Sequence, residues 1–116
     1  MEKGQSKRFQ EHLQMLGNYG KANPKVMGAM NRLNEASSKN GVLPSKIKEL
    51  IGLGIAISAQ CEGCMSMHIQ GAMSQGATRE EVVETIGVAI TMGGGPAAFH
   101  GALAYKILEE YEASQK

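Results

Sequence analysis

Pro44-Ser45-Lys46-Ile47-Lys48-Glu49-Leu50-Ile51-Gly52-Leu53-Gly54-Ile55-Ala56-Ile57-Ser58-Ala59 is the stretch whose reading decides the fold of this 116-residue chain. Its first turn is charged, at Lys46, Lys48 and Glu49, and from Leu50 onward it is apolar on nearly every face. A continuous run rich in Ile also fits a buried strand, but Ala, Gly and the length favour a helix. A helix apolar all round is one buried all round, in a domain core or in a subunit interface.

The flanking sequence has the same helical grain. Upstream, Phe9, Leu13 and Leu16 recur at helical spacing, which predicts a first helix from Gln5 to Gly17 broken by Asn18-Tyr19-Gly20-Lys21. Pro24 sits at the tolerated first position of a second helix striped by Met27, Met30 and Leu33, and Ser37 to Gly41 ends it. Downstream, Gln60 to Gly63 is a break, and a fourth helix carries Cys64, His68 and Met73 up to a capping Gly76. Thr78-Arg79-Glu80-Glu81 is a capping box for a fifth helix with Val82, Val83, Ile86, Val88 and Ile90 as apolar positions. Gly93-Gly94-Gly95-Pro96 separates it from a last helix reaching Tyr111. No alternating strand pattern occurs. The expectation is an all-α fold, a single-domain bundle of about six helices over residues 1–116.

Composition narrows function by exclusion. A net charge of +1 gives no electrostatic basis for nucleic acid or an anionic membrane as partner. With no Trp, two Phe and three Tyr there is little for bases to stack on. Met1-Glu2-Lys3-Gly4-Gln5-Ser6-Lys7-Arg8 is polar and leads into no signal-peptide core, and the Leu50–Ala59 run is too short to span a membrane. The expected compartment is the cytoplasm, where a close cysteine pair is more often catalytic, redox-sensing or metal-binding than structural.

The chain has two cysteines, Cys61 and Cys64, with His68 four residues further on. On a helix these three share one face, within about a turn and a half. A cysteine near a helix N-terminus meets unpaired amides and the positive dipole end, which favour thiolate over thiol. His68 can hydrogen-bond a thiolate or shuttle its proton. The same three residues could instead be zinc ligands, although zinc wants a fourth, or the cysteines could be two small buried hydrophobes and His68 a core histidine. Glu49, twelve residues before Cys61, reads either as a surface carboxylate at a helix start or as a proton acceptor facing the pair. Gly93 to Pro96 lacks the Lys and Ser/Thr of a nucleotide loop, so no cofactor is expected. His12 and His100 are the other imidazoles, and His100 is taken as structural.

Lys46-Ile47-Lys48-Glu49-Leu50-Ile51, Cys61-Glu62-Gly63-Cys64 with His68, Gly76-Ala77-Thr78 with Glu81, and Gly93-Gly94-Gly95-Pro96 together resemble the carboxymuconolactone decarboxylase superfamily, in its alkylhydroperoxidase D-like branch. The resemblance covers about residues 43–105 and implies an all-helical subunit of a homo-oligomer, a trimer or hexamer. By the same analogy Cys64 attacks a small hydroperoxide or disulfide substrate, Cys61 closes the disulfide, and His68 with Glu49 forms the proton relay. It implies a lipoyl-bearing protein, or a thioredoxin-like one, as the reductant. Decarboxylases of the superfamily act on a lactone acid and typically lack the cysteine pair. One residue departs from the peroxidase pattern: Gly63 stands where the best-known peroxidases carry a further relay histidine.

Overall fold

The computed structural model describes residues 4–116, so Met1 to Lys3 of the polar N-terminal segment lie outside the described residues. The fold is all-α. Among the described residues five helices follow one another: α1 (Lys7–Ala22), α2 (Pro24–Ser38), α3 (Ser45–Ser58), α4 (Glu62–Ser74) and α5 (Arg79–Ser114). The difference from the expected six lies in α5. Gly94 is its one non-helical residue, with φ 67° and ψ −143°, a conformation open to glycine and strained for other residues. The two halves, 79–93 and 95–114, fold back on each other there. Arg79 near the start of α5 bonds Glu112 near its end and stacks 5.1 Å from the Tyr105 ring centre. Gly101 lets the halves close, since a Cβ there would stand 2.9 Å from Ile86. By length and composition alone α5 would pass as a membrane-crossing helix, but it doubles back and gives Val82, Ile86, Ala89, Ala97, Ala104, Ile107 and Leu108 to the core.

The capping box forms as expected: Thr78 Oγ1 accepts from the Glu81 amide at 3.1 Å, and Glu81 Oε1 accepts from the Thr78 amide at 2.9 Å. The Thr78 amide and Lys46, 3.1 Å away, hold the Glu81 carboxyl below its ordinary range. Gly76, with φ 93°, closes α4 as expected. By contrast, α1 does not end at Gly17. The Asn-Tyr-Gly segment continues the helix to Ala22, and the chain turns only at Asn23, the residue that Pro24 excludes from helical conformation. Asn23 then serves both helices, its amide donating to the Tyr19 carbonyl at 2.8 Å and its side chain capping α2.

The core is built from one face each of α3, α4 and the doubled α5, with Leu53, Ile57, Met65, Ile69, Val82 and Leu108 among its most enclosed side chains. The expectation that α3 is buried all round is corrected within this subunit. Leu53, Ala56 and Ile57 are buried, whereas Ile51 and Ile55 are exposed. They line an apolar groove of about 430 Å³ with Val88 and Met92 of α5. The physical reason is size: a helix has neighbours on two or three sides in so small a bundle, and the apolar remainder faces outward. Likewise Met30 and Leu33 of α2 are exposed, and that helix buries no residue fully.

Candidate active site

The cysteine motif is placed by the way α3 ends. Gln60 adopts φ 58°, its amide donates to the Ile57 carbonyl at 3.1 Å, and the Cys61 amide donates to the Ala56 carbonyl at 3.0 Å. These are the paired bonds of a Schellman motif, with glutamine in the left-handed position where glycine usually stands. Cys61 is therefore the last residue tied to α3. It is also the N-cap of α4: its carbonyl accepts from the Met65 amide at 3.0 Å and its Sγ accepts from the Cys64 amide at 3.2 Å. Cys61 and Cys64 are joined by a disulfide, with Cα atoms 5.2 Å apart. Cys61 is half-buried and Cys64 exposed. Both sulfurs lie at the positive end of α4, where backbone amides favour an anion.

One turn beyond Cys64, the His68 ring meets α3. Its Nδ1 is 3.2 Å from Glu49 Oε2, and both side chains are partly shielded from solvent. The two helices come close enough for this because each carries a glycine at the contact. A Cβ on Gly52 of α3 would stand 2.7 Å from both ring nitrogens of His68, and one on Gly71 of α4 would stand 2.7 Å from the Glu49 carboxyl carbon. Real Cβ contacts do not approach so closely, so each functional side chain occupies the room a glycine leaves. Neither glycine was among the expected site residues. Their signal is two glycines inside helices, Gly52 three residues after Glu49 and Gly71 three residues after His68. His68 Nε2 makes no protein hydrogen bond among the described residues.

The opposite face of α4 carries a second polar cluster, likewise outside the expected site. His12 of α1 bonds Ser66 through Nδ1 and Glu62 through Nε2, each at 3.1 Å. Arg8, one turn earlier, reaches Glu62 at 3.0 Å and Glu110 of α5 at 2.8 Å. The hydrogen bond to Glu110 is the chief reason that Arg8 is held even more firmly protonated than usual, and Arg8 in turn keeps the Glu110 carboxyl below its ordinary range. No local sequence pattern announces this cluster, because its members come from three helices far apart in the chain. His100, read as structural, bonds the Pro96 carbonyl at 3.0 Å within its own helix.

The structure thus brings Glu49 to His68, and Cys61 to Cys64, on the face where α4 meets α3. No three His, Cys, Asp or Glu side chains converge as a metal site among the described residues. The arrangement supplies a surface dithiol pair, a helix N-terminus behind it, and a carboxylate–imidazole pair one turn away.

A sequence model of the carboxymuconolactone decarboxylase family matches residues 24–106. An uncharacterised protein of Cupriavidus necator is 37% identical over 100 residues, covering 84% of this chain and 88% of that one. An uncharacterised protein of the cox locus of Paracoccus denitrificans is 32% identical over 99 residues, covering 85% and 89%. Among solved structures, a carboxymuconolactone decarboxylase family protein of Legionella pneumophila superposes with a TM-score of 0.84 at 36% identity, over 96% of this chain and all of that one. A Thermotoga maritima protein of the same family, for which an antioxidative role has been suggested, gives 0.81 at 28% identity over 92% of each chain.

Proposed function

The chain belongs to the carboxymuconolactone decarboxylase family, and from that premise we propose that it is a thiol-dependent peroxidase or dithiol–disulfide oxidoreductase. The observation that carries this reading is the Glu49–His68 hydrogen bond one turn from the Cys61–Cys64 pair. A redox pair alone needs no such relay; a thiol that must be deprotonated before it attacks does. The antioxidative role suggested for the Thermotoga maritima relative points the same way.

In the proposed mechanism His68 takes the Cys64 proton, directly or through one water, while Glu49 orients the ring and balances its positive charge. The Cys64 thiolate attacks one peroxide oxygen, the O–O bond breaks, and the departing alkoxide takes up a proton as alcohol. The cysteine is now a sulfenic acid. The Cys61 thiol condenses with it, forming the S–S bond and releasing water. One hydroperoxide and two thiols have become alcohol, water and a disulfide. An external dithiol, on a lipoyl-bearing or thioredoxin-like protein, returns two electrons and two protons. Exposed Cys64 is the sulfur within a reductant's reach. The cycle suits a reducing compartment, which makes the cytoplasm the proposed location.

The same reading includes assembly into a homo-oligomer, a trimer or hexamer. Its support is the apolar groove beside Ile51, Ile55, Val88 and Met92, which a second copy would cover. Light scattering at micromolar concentration tests it, and a monomer would count against it.

The functional reading is tested by mixing reduced protein with an organic hydroperoxide in a stopped-flow instrument. Two thiols should disappear per peroxide, and Cys64→Ser should abolish the reaction. Wild type reacting no faster than a free thiol leaves only thiol–disulfide exchange. Turnover of a lactone acid that survives loss of both cysteines would replace the redox reading with a decarboxylase.

A further inference from the structure

Glu62 poses an electrostatic problem that the Glu49–His68 pair does not address. It is the first residue of α4, directly after Cys61 and two before Cys64. Its carboxylate and a cysteine thiolate draw on the same positive helix end, so an uncompensated Glu62 would disfavour the thiolate. Side chains two residues apart point about 200° away from each other around a helix. Glu62 and Ser66 therefore face α1, while Cys64 and His68 face the other way, and Glu62 is close enough to act through its charge but does not lie in the proton path.

The charge is not left uncompensated. Arg8 spans two carboxylates, Glu62 at 3.0 Å and Glu110 at 2.8 Å. His12 meets the same Glu62 oxygen at 3.1 Å. As a neutral ring it donates from Nε2 to Glu62 and accepts the Ser66 hydroxyl proton at Nδ1; as a cation it donates from both nitrogens. Ser66 is buried and fixes the ring. The remaining charged groups here are Lys7 and Glu11 of α1, which line the same open cleft of about 690 Å³, Lys106 of α5, whose charge is felt at Glu110, and Glu49 and His68 on the far face.

We propose that Arg8 and His12 are positioning residues for the dithiol: Arg8 by its charge and His12 by its hydrogen bond hold Glu62, and so favour the thiolate of the Cys61–Cys64 pair. The inference rests on the dithiol reading above. It assigns Glu62, inside the cysteine motif, a tuning role exercised from another helix. The cleft leaves this cluster open to solvent, so the tuning is sensitive to salt.

The test reads the thiol itself. The pH midpoint of thiolate formation in the fully reduced protein is followed by ultraviolet absorbance, without peroxide. Arg8→Met should raise the first midpoint, and Glu62→Gln should lower it, each by roughly half a pH unit or more. Arg8→Lys keeps the charge but not the fork that spans both carboxylates, so its midpoint should fall between wild type and Arg8→Met. A purely structural role would shift both variants the same way or neither way, and either result overturns the proposal. Should Arg8→Met not fold, Glu62→Gln still decides: a lowered midpoint supports the proposal and an unchanged or raised one overturns it. Opposite shifts in a protein that consumes no peroxide would retire the peroxidase reading and leave this one standing. Peroxide consumption without those shifts would do the reverse.

Discussion

The Glu49 carboxylate and the His68 ring meet across the α3–α4 contact, Oε2 to Nδ1 at 3.2 Å, with the other ring nitrogen directed away from the carboxylate. A histidine held in this way has a fixed orientation and a counter-charge for its protonated form, which a base must have if it is to take a thiol proton and return it.

Replacing His68 by Asn should therefore slow peroxide-driven thiol loss by about 10²-fold or more, and Glu49→Gln should slow it less. Both effects should shrink as pH rises and Cys64 ionises unaided. Stopped-flow rates across pH check this. A deficit that stays constant well above the thiol midpoint would show that the pair does not act as a base.

Gly52 and Gly71 lead to a second expectation, of a kind rarely found in helices. Alanine is the better helix former by about 1 kcal/mol, so at an indifferent position Gly→Ala stabilises. At these two it forces His68 or Glu49 out of the site, since each would be met by a Cβ at 2.7 Å. Gly71→Ala displaces the end of a flexible glutamate, so thermal stability should hold or rise while peroxide consumption falls to the Glu49→Gln level. Gly52→Ala must move a ring and should lose activity as His68→Asn does, with a destabilisation of about 1–3 kcal/mol. Full activity in either variant would show that the contact is incidental.

Acid stability follows from Glu110. Its carboxyl is held below the ordinary 4.5 chiefly by the hydrogen bond from Arg8. A depressed folded-state value means that stability is fully present above 4.5 and is lost as pH falls toward the folded value. Glu81, lowered by the Thr78 amide and Lys46, adds in the same sense. Melting temperature should thus fall on acidification through this range, and Glu110→Gln should be less stable at neutral pH with a shallower acid slope. Thermal melts of both proteins over a pH series check the sign.

How much of this was legible in the sequence depends on how local each cause is. The Thr78–Glu81 box, the Gly76 cap, the Pro24 start and the Gly94 bend are written in neighbouring residues, and they were readable. The helix end at Gly17 was misread because Asn18 and Gly20 look like a break, while the decisive constraint is the steric one that Pro24 imposes on Asn23. For α3, periodicity reports where the apolar residues are and not which neighbour covers them, so the division between a face buried in this subunit and one left outward at Ile51 and Ile55 was not legible. For the site, the spacing of Cys61, Cys64 and His68 put them on one helix, but Glu49 could be placed only through the resemblance. Arg8, His12 and Glu110 were beyond reach because the doubling of α5 and the return of α1 onto α4 bring them to Glu62.

Gln60 supports the last expectation. It holds φ 58° in the one-residue joint from which Cys61 leaves α3 and begins α4, and it is the sole described non-glycine residue with positive φ. Left-handed backbone costs an ordinary residue about 1–2 kcal/mol, and glycine pays none of it. Part of the relief is offset by the greater freedom of an unfolded glycine. Gln60→Gly should therefore stabilise the protein by about 0.5–1 kcal/mol, read from chemical denaturation of the oxidised form. The Schellman bonds involve backbone groups only, so Cys61 should stay in place and peroxide kinetics should not change. Ala at the same position keeps the strain and should bring no such gain. If glycine stabilises but peroxide consumption slows, the rigidity of this joint is part of the site, and the strain is retained for the placement of Cys61.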